Sequence, residues 1–274
     1  MNYRHVYHAG NFADLVKHAA LLQLVARLTQ GPPLTVIDTH AGRGLYDLAS
    51  PEARKSGEAA AGVVRLMAAP DAPPVFGPLK AATLALNGKG EILRYPGSPW
   101  LIARSLRPGD SYLACELRPE EYEALRVALR DRPNARTAEG DGFALAVERC
   151  PSQGRVLLLI DPPFERPDDY DRIIATLAAA RRRNPRAQAL VWLPLKDLET
   201  FDAFLRDLED AELGPAMVVE ARIRPLSDPM KMNGCALVLV DGPDLTAAFS
   251  AISQWVAQSL GEAGQSRVYP LSSS

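Results

Sequence analysis

Apolar runs of strand length alternate along this chain with segments whose apolar positions recur every three or four residues. Residues 156–160 are all Val, Leu or Ile, and the absence of polar alternation is typical of a strand buried on both faces. Asn11 is a good N-cap, and helical spacing continues from there to residue 29. The alternation predicts an α/β fold with a mainly parallel sheet.

The same reasoning assigns the other elements. We predict seven strands, at residues 34–40, 111–116, 136–140, 155–160, 188–193, 216–224 and 235–241. We predict helices at 11–29, 54–69, 78–88, from about 100, 119–131, after 142, 167–183 and 197–211. The polar segment 225–234 is too short for a helical crossover, so we expect the last two strands to pair as an antiparallel hairpin.

Residues 51–95 interrupt the strand pattern. The second strand of a compact nucleotide-binding unit is missing there, and two helical patterns occur instead, separated by the proline-rich residues 69–74. We therefore predict an inserted helical subdomain at 51–95 and a Rossmann-like domain made of 1–50 and 96–270. We expect the tail at 271–274 to be disordered.

Composition narrows the class of protein. The chain has 274 residues, of which 47% are hydrophobic, enough for a large core. Three cysteines without CxxC spacing favour neither a disulfide framework nor a zinc site, and the four histidines have no metal-binding spacing. With no signal peptide and no apolar run of about 18 residues, we expect a soluble, cytoplasmic protein with no membrane partner and no metal.

The net charge of −2 is too small for binding to nucleic acid by bulk electrostatics, so any such contact must be local. One candidate is the N-terminal cluster between Arg4 and His18. Another is the run Arg181–Arg183 with Arg186. Cations at a helix end also complement the helix dipole, so a merely solvated helix end is the alternative for the arginine run.

The buried strand at 155–160 ends at Asp161-Pro162-Pro163-Phe164. Open α/β sheets bind ligands at the carboxyl ends of their strands, and two prolines make the turn rigid. The Asp161 carboxylate and the Pro162 carbonyl can accept the two N–H bonds of a ring amino group, while Phe164 stacks on a base taken out of its duplex. The motif predicts methyl transfer to an amino group; a structural Pro-Pro turn is the alternative.

Other strand ends carry candidate cofactor ligands. The stretch from Asp38 to Gly44 suits a first strand-to-helix turn where the backbone approaches a cofactor, but it lacks G-x-G-x-x-G, which argues against NAD. Glu116 ends the second strand, where a carboxylate accepts from ribose hydroxyls, and Asp141-Gly142 follows the third, where an adenine amino group is read. Ordinary turns and a solvated acid are the alternatives.

These motifs together resemble the RlmJ family of bacterial ribosomal RNA adenine-N6 methyltransferases, over essentially the whole chain. The most specific parts are Tyr3-Arg-His-x-x-His-Ala-Gly-Asn11 with Asp14, Lys17 and His18, Asp38-Thr-His-Ala-Gly42, Tyr95-Pro-Gly-Ser-Pro99, Asp141-Gly-Phe143 and Asp161-Pro-Pro. The Asp-Pro-Pro element alone indicates an amino-group methyltransferase, and the N-terminal block narrows it to this family. The family pattern has Tyr where this chain has Phe164, which keeps the stacking face and loses a phenolic hydrogen bond.

The resemblance implies a class I fold that uses S-adenosylmethionine (SAM), with 23S ribosomal RNA, free or partly assembled, as partner. The implied cofactor-binding residues are His18, His40, Gly42, Ser98, Glu116, Asp141, Gly142 and Asp161. The implied catalytic residues are Asp161, Pro162 and Phe164. The implied RNA-facing residues are Tyr3, His5, Lys17 and Phe164. His18 has a purely structural position as its alternative.

The expected reaction is transfer of the SAM methyl group to N6 of a flipped-out adenine, by in-line displacement without a covalent intermediate. Three alternatives stay open at this point. One is methylation of DNA adenine or of a protein amide. Another is a non-catalytic RNA-binding factor in ribosome assembly, and a more distant one is an NAD oxidoreductase.

Overall fold

The computed structural model describes residues 7–227 and 232–271. Within these ranges, eight strands form a mixed sheet. In spatial order they are β10 (Gln265–Leu271), β8 (Ala216–Arg222), β9 (Gly234–Val240), β7 (Ala187–Leu195), β6 (Arg155–Ile160), β1 (Leu34–Asp38), β4 (Ser111–Glu116) and β5 (Ala135–Glu139). The five strands from β7 to β5 are parallel, and β8, β9 and β10 pair antiparallel.

Helices cover both faces of the sheet. One face is packed by α1 (Phe12–Leu28), α5 (Ser98–Ser105), α6 (Pro119–Leu129) and α10 (Thr246–Leu260). The other face is packed by α7 (Gly142–Arg149), α8 (Asp169–Arg183) and α9 (Leu198–Asp210). The result is a three-layer arrangement with a separate apolar core on each side of the sheet.

Strand β6 is central, as its sequence predicts. Leu157 and Leu159 pack into the core beneath α1, α5 and α10. Val156, Leu158 and Ile160 pack into the core beneath α7, α8 and α9. All five side chains are fully buried, which explains why the strand has no polar alternation.

The strand order and the antiparallel end of the sheet confirm the expected class I methyltransferase fold. The predicted hairpin is confirmed, since β8 and β9 are antiparallel with Val218 opposite Val238. The number of strands was wrong: β10 adds an eighth, antiparallel to β8, after a helix, α10, that was also not predicted. Strand β10 lies at the sheet edge, where polar residues and a proline such as Pro270 are tolerated. Its sequence therefore lacks the apolar pattern that predicts a strand. Leu271, which we expected to belong to the disordered tail, is instead the last residue of β10, opposite Ala216. Residues 272–274 lie outside the described chain.

The segment 51–95 consists of short helices and one strand. These elements are α2 (Pro51–Ser56), a π-helical turn (Ala60–Val64), α3 (Arg65–Ala68), a 3₁₀ turn (Pro74–Phe76), α4 (Gly77–Asn87) and β3 (Arg94–Pro96), which pairs with β2 (Leu45–Asp47). The ribbon of β2 and β3 was not predicted, since three-residue strands are too short to show a period. The division into a sheet domain and an inserted subdomain stays a prediction.

The segment is fastened to the start of α1. Both oxygens of Glu58 are used, one 2.8 Å from Nδ1 of His8 and one accepting from Nδ2 of Asn11 at 2.9 Å. Val63 donates its backbone N–H to the Gly10 carbonyl at 2.8 Å. The first turn of α1 is thus held by residues about 50 positions further along the chain.

The predicted arginine run ends α8, at the sheet edge opposite the carboxyl ends of the parallel strands. Arg181 donates to the Ala187 carbonyl and lies 3.0 Å from Asp241. This position at a helix end, remote from the strand ends, favours the alternative over a nucleic-acid contact, although Arg181 itself is bonded rather than solvated. None of the helices in the described ranges is long and apolar enough to cross a membrane.

Candidate active site

Four carboxylates converge at one edge of the sheet. Strands β6, β1, β4 and β5 are parallel neighbours, so their carboxyl ends lie side by side. Asp38 ends β1, Glu116 ends β4, Asp141 follows β5 and Asp161 follows β6. The residues that the sequence singled out at separate strand ends therefore meet in one place.

Asp161 forms a short ion pair with Lys17 of α1. The Lys17 ammonium donates to Oδ2 of Asp161 at 2.6 Å and lies 3.1 Å from Oδ1 of Asp14. Lys17 is only 5% exposed, so this ion pair is shielded from water and geometrically fixed. The cap on α1 places these groups, because the Asn11 side chain accepts from the Asp14 N–H at 3.0 Å.

The RNA-facing role of Lys17 stays a prediction, to which the structure adds contact with Asp161. Lys17 lies in a buried ion-pair cluster rather than on an exposed basic surface. The other two N-terminal residues of that predicted set, Tyr3 and His5, lie outside the described part of the chain.

The turn after Asp161 contains a strained residue. Phe164 has φ +50°, a left-handed conformation that costs a side chain of this size roughly 1–2 kcal/mol. Its half-buried ring lies 4.9 Å from the ring of Tyr170 and 5.9 Å from that of Trp192, centroid to centroid. These packed rings hold the turn in place.

Gly42 brings the loop after β1 against Glu116. Its backbone N–H donates to Oε2 of Glu116 at 2.9 Å, while the Arg118 N–H donates to Oε1 at 2.8 Å. Gly42 has φ +64°, and a Cβ there would lie 2.5 Å from the Tyr46 hydroxyl oxygen. Glycine is required at this position by both the backbone and the space. Burial raises the pKa of Glu116.

Asp141 and Gly142 join α7 to the end of β1. Oδ1 of Asp141 caps the helix by accepting from the Phe143 N–H at 3.1 Å, and Oδ2 accepts from Arg172. A Cβ on Gly142 would lie 1.7 Å from the Thr39 carbonyl oxygen. The glycine is therefore needed for close packing, beyond the needs of an ordinary turn.

Asp38 is fully buried beneath the site. Its Oδ2 accepts from the Ser98 hydroxyl at 3.0 Å and from the Tyr112 hydroxyl at 3.1 Å. Burial raises the pKa of Asp38 to about 7, against the opposing effect of these hydrogen bonds. Ser98 thus donates its hydroxyl proton to Asp38, and its role in holding a cofactor carboxylate stays a prediction.

The two histidines of the predicted cofactor site differ. Nδ1 of His40 lies 2.7 Å from the Thr39 hydroxyl, and burial lowers the His40 pKa to about 4, so this ring is neutral at pH 7. His18 is 1% exposed, and its Nδ1 lies 2.8 Å from the Tyr95 hydroxyl. This burial favours the structural alternative for His18.

Sequence reasoning did not assign three residues at this edge. Asp38 had a signal, since a carboxylate closes an otherwise apolar strand, but its burial could not be foreseen. Arg172 had none, because an arginine on the polar side of α8 looks like a solvated residue. Leu117, next to Glu116 at the end of β4, is 63% exposed, although its side chain is apolar.

A cavity of ligand size lies near the predicted site, and a second lies elsewhere in the described chain. One, of about 330 Å³, adjoins the turn at Phe164. The other, of about 500 Å³, lies between α10 and β10, four strand positions from β6. The larger cavity is therefore remote from Asp161. The smaller cavity is the better candidate for a ligand site connected with the strand ends, because it adjoins the turn after Asp161.

Comparison with known proteins places this geometry among relatives. The family model described as "Ribosomal RNA large subunit methyltransferase D, RlmJ" matches residues 31–270. The chain is 30% identical to ribosomal RNA large subunit methyltransferase J of Escherichia coli, over 96% of this chain and 95% of the relative. It is 32% identical to the protein of that name in Haemophilus influenzae, over 89% and 88%. A crystal structure of a Legionella pneumophila protein, 26% identical, matches 96% of this chain and 98% of its own with a TM-score of 0.86.

Proposed function

This chain belongs to the RlmJ family of ribosomal RNA large subunit methyltransferases, and from that premise we propose that it transfers a methyl group from SAM to N6 of an adenine in 23S ribosomal RNA. The finer parts of the proposal are the position N6, the choice of 23S RNA, its free or partly assembled state, and direct in-line displacement on a flipped-out base. A cytoplasmic location also stays a prediction.

The observation that carries the proposal is the ion pair at the end of β6. Lys17 occupies Oδ2 of Asp161, so Oδ1 is the oxygen that a substrate amino group would reach. A carboxylate held at one oxygen keeps its second oxygen in a fixed direction, which is the form of preorganisation that catalysis requires.

The residues at this edge fit SAM. Glu116, fixed by two backbone N–H groups, offers its remaining lone pairs to ribose hydroxyls. Gly42, with no side chain, lets the loop after β1 approach closely enough for its backbone N–H to fix Glu116. The exposed Leu117 side chain offers an adenine ring an apolar surface. Asp141 belongs to the neighbouring strand end, where the Gly140 N–H donates to the Glu116 carbonyl at 3.0 Å. When bound, SAM supplies an electrophilic methyl group on a sulfonium.

The protein then acts on the amino group of the target base. Oδ1 of Asp161 and the Pro162 carbonyl each accept a hydrogen bond from one of its two N–H groups, which directs the nitrogen lone pair away from the ring. Phe164 packs against the flipped base. The proton on the methylated nitrogen is lost after the transfer, so the chain needs no general base of tuned pKa.

Replacement of Asp161 tests this proposal. We expect Asp161→Ala to lose methylation of deproteinised 23S RNA by at least about 100-fold, with SAM affinity measured by calorimetry changed far less. Nucleoside mass spectrometry identifies the product. Unchanged turnover in the variant would contradict the assignment of Asp161 as the catalytic residue. Methylation of DNA or protein instead of RNA would support the alternative substrates.

A further inference from the structure

A cavity lies beside the turn that carries Asp161, and none of the cofactor candidates lines it. Its volume is about 330 Å³, within the range of roughly 300–1,000 Å³ typical of small-ligand sites. The lining residues come from the loop after β6, the start of α8 and the turn between β7 and α9: Phe164, Glu165, Arg166, Pro167, Tyr170, Pro194, Lys196, Asp197 and Thr200.

One wall of this cavity is aromatic. The rings of Phe164 and Tyr170 are 4.9 Å apart at an angle of 46°, and Phe204 backs Tyr170 at 5.9 Å. Burial raises the pKa of Tyr170 to about 12, so its hydroxyl stays protonated. No residue in the described ranges hydrogen-bonds to that hydroxyl. Rigid rings with an available donor suit a nucleobase, since every base has a stacking face.

One cation at the mouth of the cavity is available to a phosphate. Glu165 lies 3.3 Å from Arg118. Asp197 caps α9 by accepting from the Thr200 N–H at 2.8 Å, which directs its carboxylate toward the helix start. Arg166 is paired with Asp168. Lys196 is exposed, and over the described chain no carboxylate lies within 4.0 Å of its ammonium. Lys196 is thus the lining cation with capacity for an incoming anion.

Both sides of the cavity are held in place. The Asn233 side chain donates to the Lys196 carbonyl at 3.1 Å, and the Asn233 N–H donates to the Leu195 carbonyl at 3.0 Å. Opposite, the buried Asp169 accepts from the Arg166 N–H at 3.2 Å. The backbone on both sides of the cavity therefore loses little conformational entropy when a ligand enters, and the exposed Lys196 side chain is the part that becomes ordered.

We propose that this cavity binds the nucleotide adjacent to the target adenine, with its base against Tyr170 and Phe164 and its phosphate on Lys196. The inference rests on the proposed function. A base that is flipped out to Asp161 brings its neighbours along the sugar–phosphate backbone, and Phe164 borders both positions. Recognition of that neighbour would contribute to the choice of adenine, which phosphate contacts alone cannot make.

The test is a double-mutant cycle between protein and RNA. Synthetic RNA fragments around the methylated adenine carry an abasic residue at either neighbour, or a neutral methylphosphonate at either adjoining linkage. With wild-type protein, we expect the abasic residue at one neighbour to raise KM by about 5- to 150-fold, the measured range for loss of one stacked base. Tyr170→Leu raises KM similarly on intact RNA, and the two changes together are no worse than one.

Lys196→Ala is the second arm, and its exposed position avoids a folding defect. Combined with the methylphosphonate at the matching linkage, it should raise KM no more than either change alone. It should also lower the slope of log affinity against log salt concentration by about 1. Lys89→Ala, equally exposed but in the segment 51–95, serves as the matched control with unchanged KM. If, in both cycles, the protein change and the RNA change together raise KM by the product of their separate effects, the inference is overturned. Wild-type protein that fails to methylate even intact RNA would instead overturn the proposed function.

Discussion

The ammonium of Lys17 lies 2.6 Å from Oδ2 of Asp161, although 144 positions separate the two residues in the chain. One belongs to the first helix and the other to the end of the central strand. The contact makes the N-terminal helix part of the reaction site, beyond its part in the core.

Lys17→Met should reduce the rate constant kcat on 23S RNA by about 100-fold, because Asp161 loses the partner that fixes its direction. The SAM dissociation constant should stay within a few-fold of wild type. Removal of the ammonium also leaves Asp14 and Asp161 facing each other in a shielded site, so the free energy of unfolding should fall by about 3 kcal/mol. Single-turnover kinetics and urea denaturation measure the two effects, with Lys89→Met as control. A normal kcat in this variant would show that Lys17 does not contribute to the reaction.

Gly42→Ala should weaken SAM binding at least about 10-fold, since the added methyl group collides with the Tyr46 hydroxyl and displaces the loop. Gly57→Ala is a matched control: that residue also has positive φ, +70°, but no atom lies within 4 Å of an added Cβ. It should cost about 1 kcal/mol of stability and leave affinity unchanged. Tyr46→Phe in the Gly42→Ala background should recover part of the affinity in calorimetry. Equal losses in both glycine variants would mean that backbone strain alone explains the effect.

Glu116→Gln preserves shape but changes hydrogen bonding. Both carboxylate oxygens accept from backbone N–H groups, so an amide nitrogen at either position would face a donor, at a cost of roughly 1–3 kcal/mol. SAM affinity should fall about 10- to 100-fold. Glu139→Gln, at the exposed end of the neighbouring strand and opposite Glu116 in register, should have no effect. Normal SAM binding by Glu116→Gln would exclude the proposed role in ribose recognition.

Asp38 should make stability depend on pH. Its pKa is about 7 in the folded protein, whereas an unfolded aspartate has a pKa of about 3.9. Between these values the folded chain holds a proton that the unfolded chain has lost, so stability falls as pH rises from 4 to 7 and then levels. Asp38→Asn cannot ionise and should lack this loss, which is on the order of 4 kcal/mol in full. Chemical denaturation of both proteins at several pH values measures the difference. Parallel curves would show that Asp38 is already ionised near pH 4.

The strand ends of the site follow from local pattern. An unbroken apolar run with Pro-Pro behind it identifies β6 and the position of Asp161, because burial on both faces and the loss of ladder N–H groups leave signatures in consecutive residues. The glycines at 42 and 142 were also readable, since close backbone approach excludes every other residue.

Contacts between distant segments were not readable in this way. No local pattern pairs Lys17 with Asp161, or Arg172 with Asp141, because such pairs depend on how helices are laid over the sheet. The hydrogen bond from the Ser98 hydroxyl to Asp38 was missed for the same reason, since Ser98 lies on α5 and Asp38 ends β1. Strand β10 was missed because it relies on its neighbour β8 rather than on an apolar period of its own.

The hydrogen bonds between Glu58 and the start of α1 give the segment 51–95 a role in positioning that helix. Glu58 contacts His8 and Asn11, and Asn11 caps the helix that carries Lys17. Trimming this segment at its exposed turn, residues 88–91, leaves these hydrogen bonds intact. Excising it whole would release the helix start and would also remove fully buried side chains, among them Phe76 and Tyr95, from the core beneath α1, so the alignment of Lys17 with Asp161 depends on this segment.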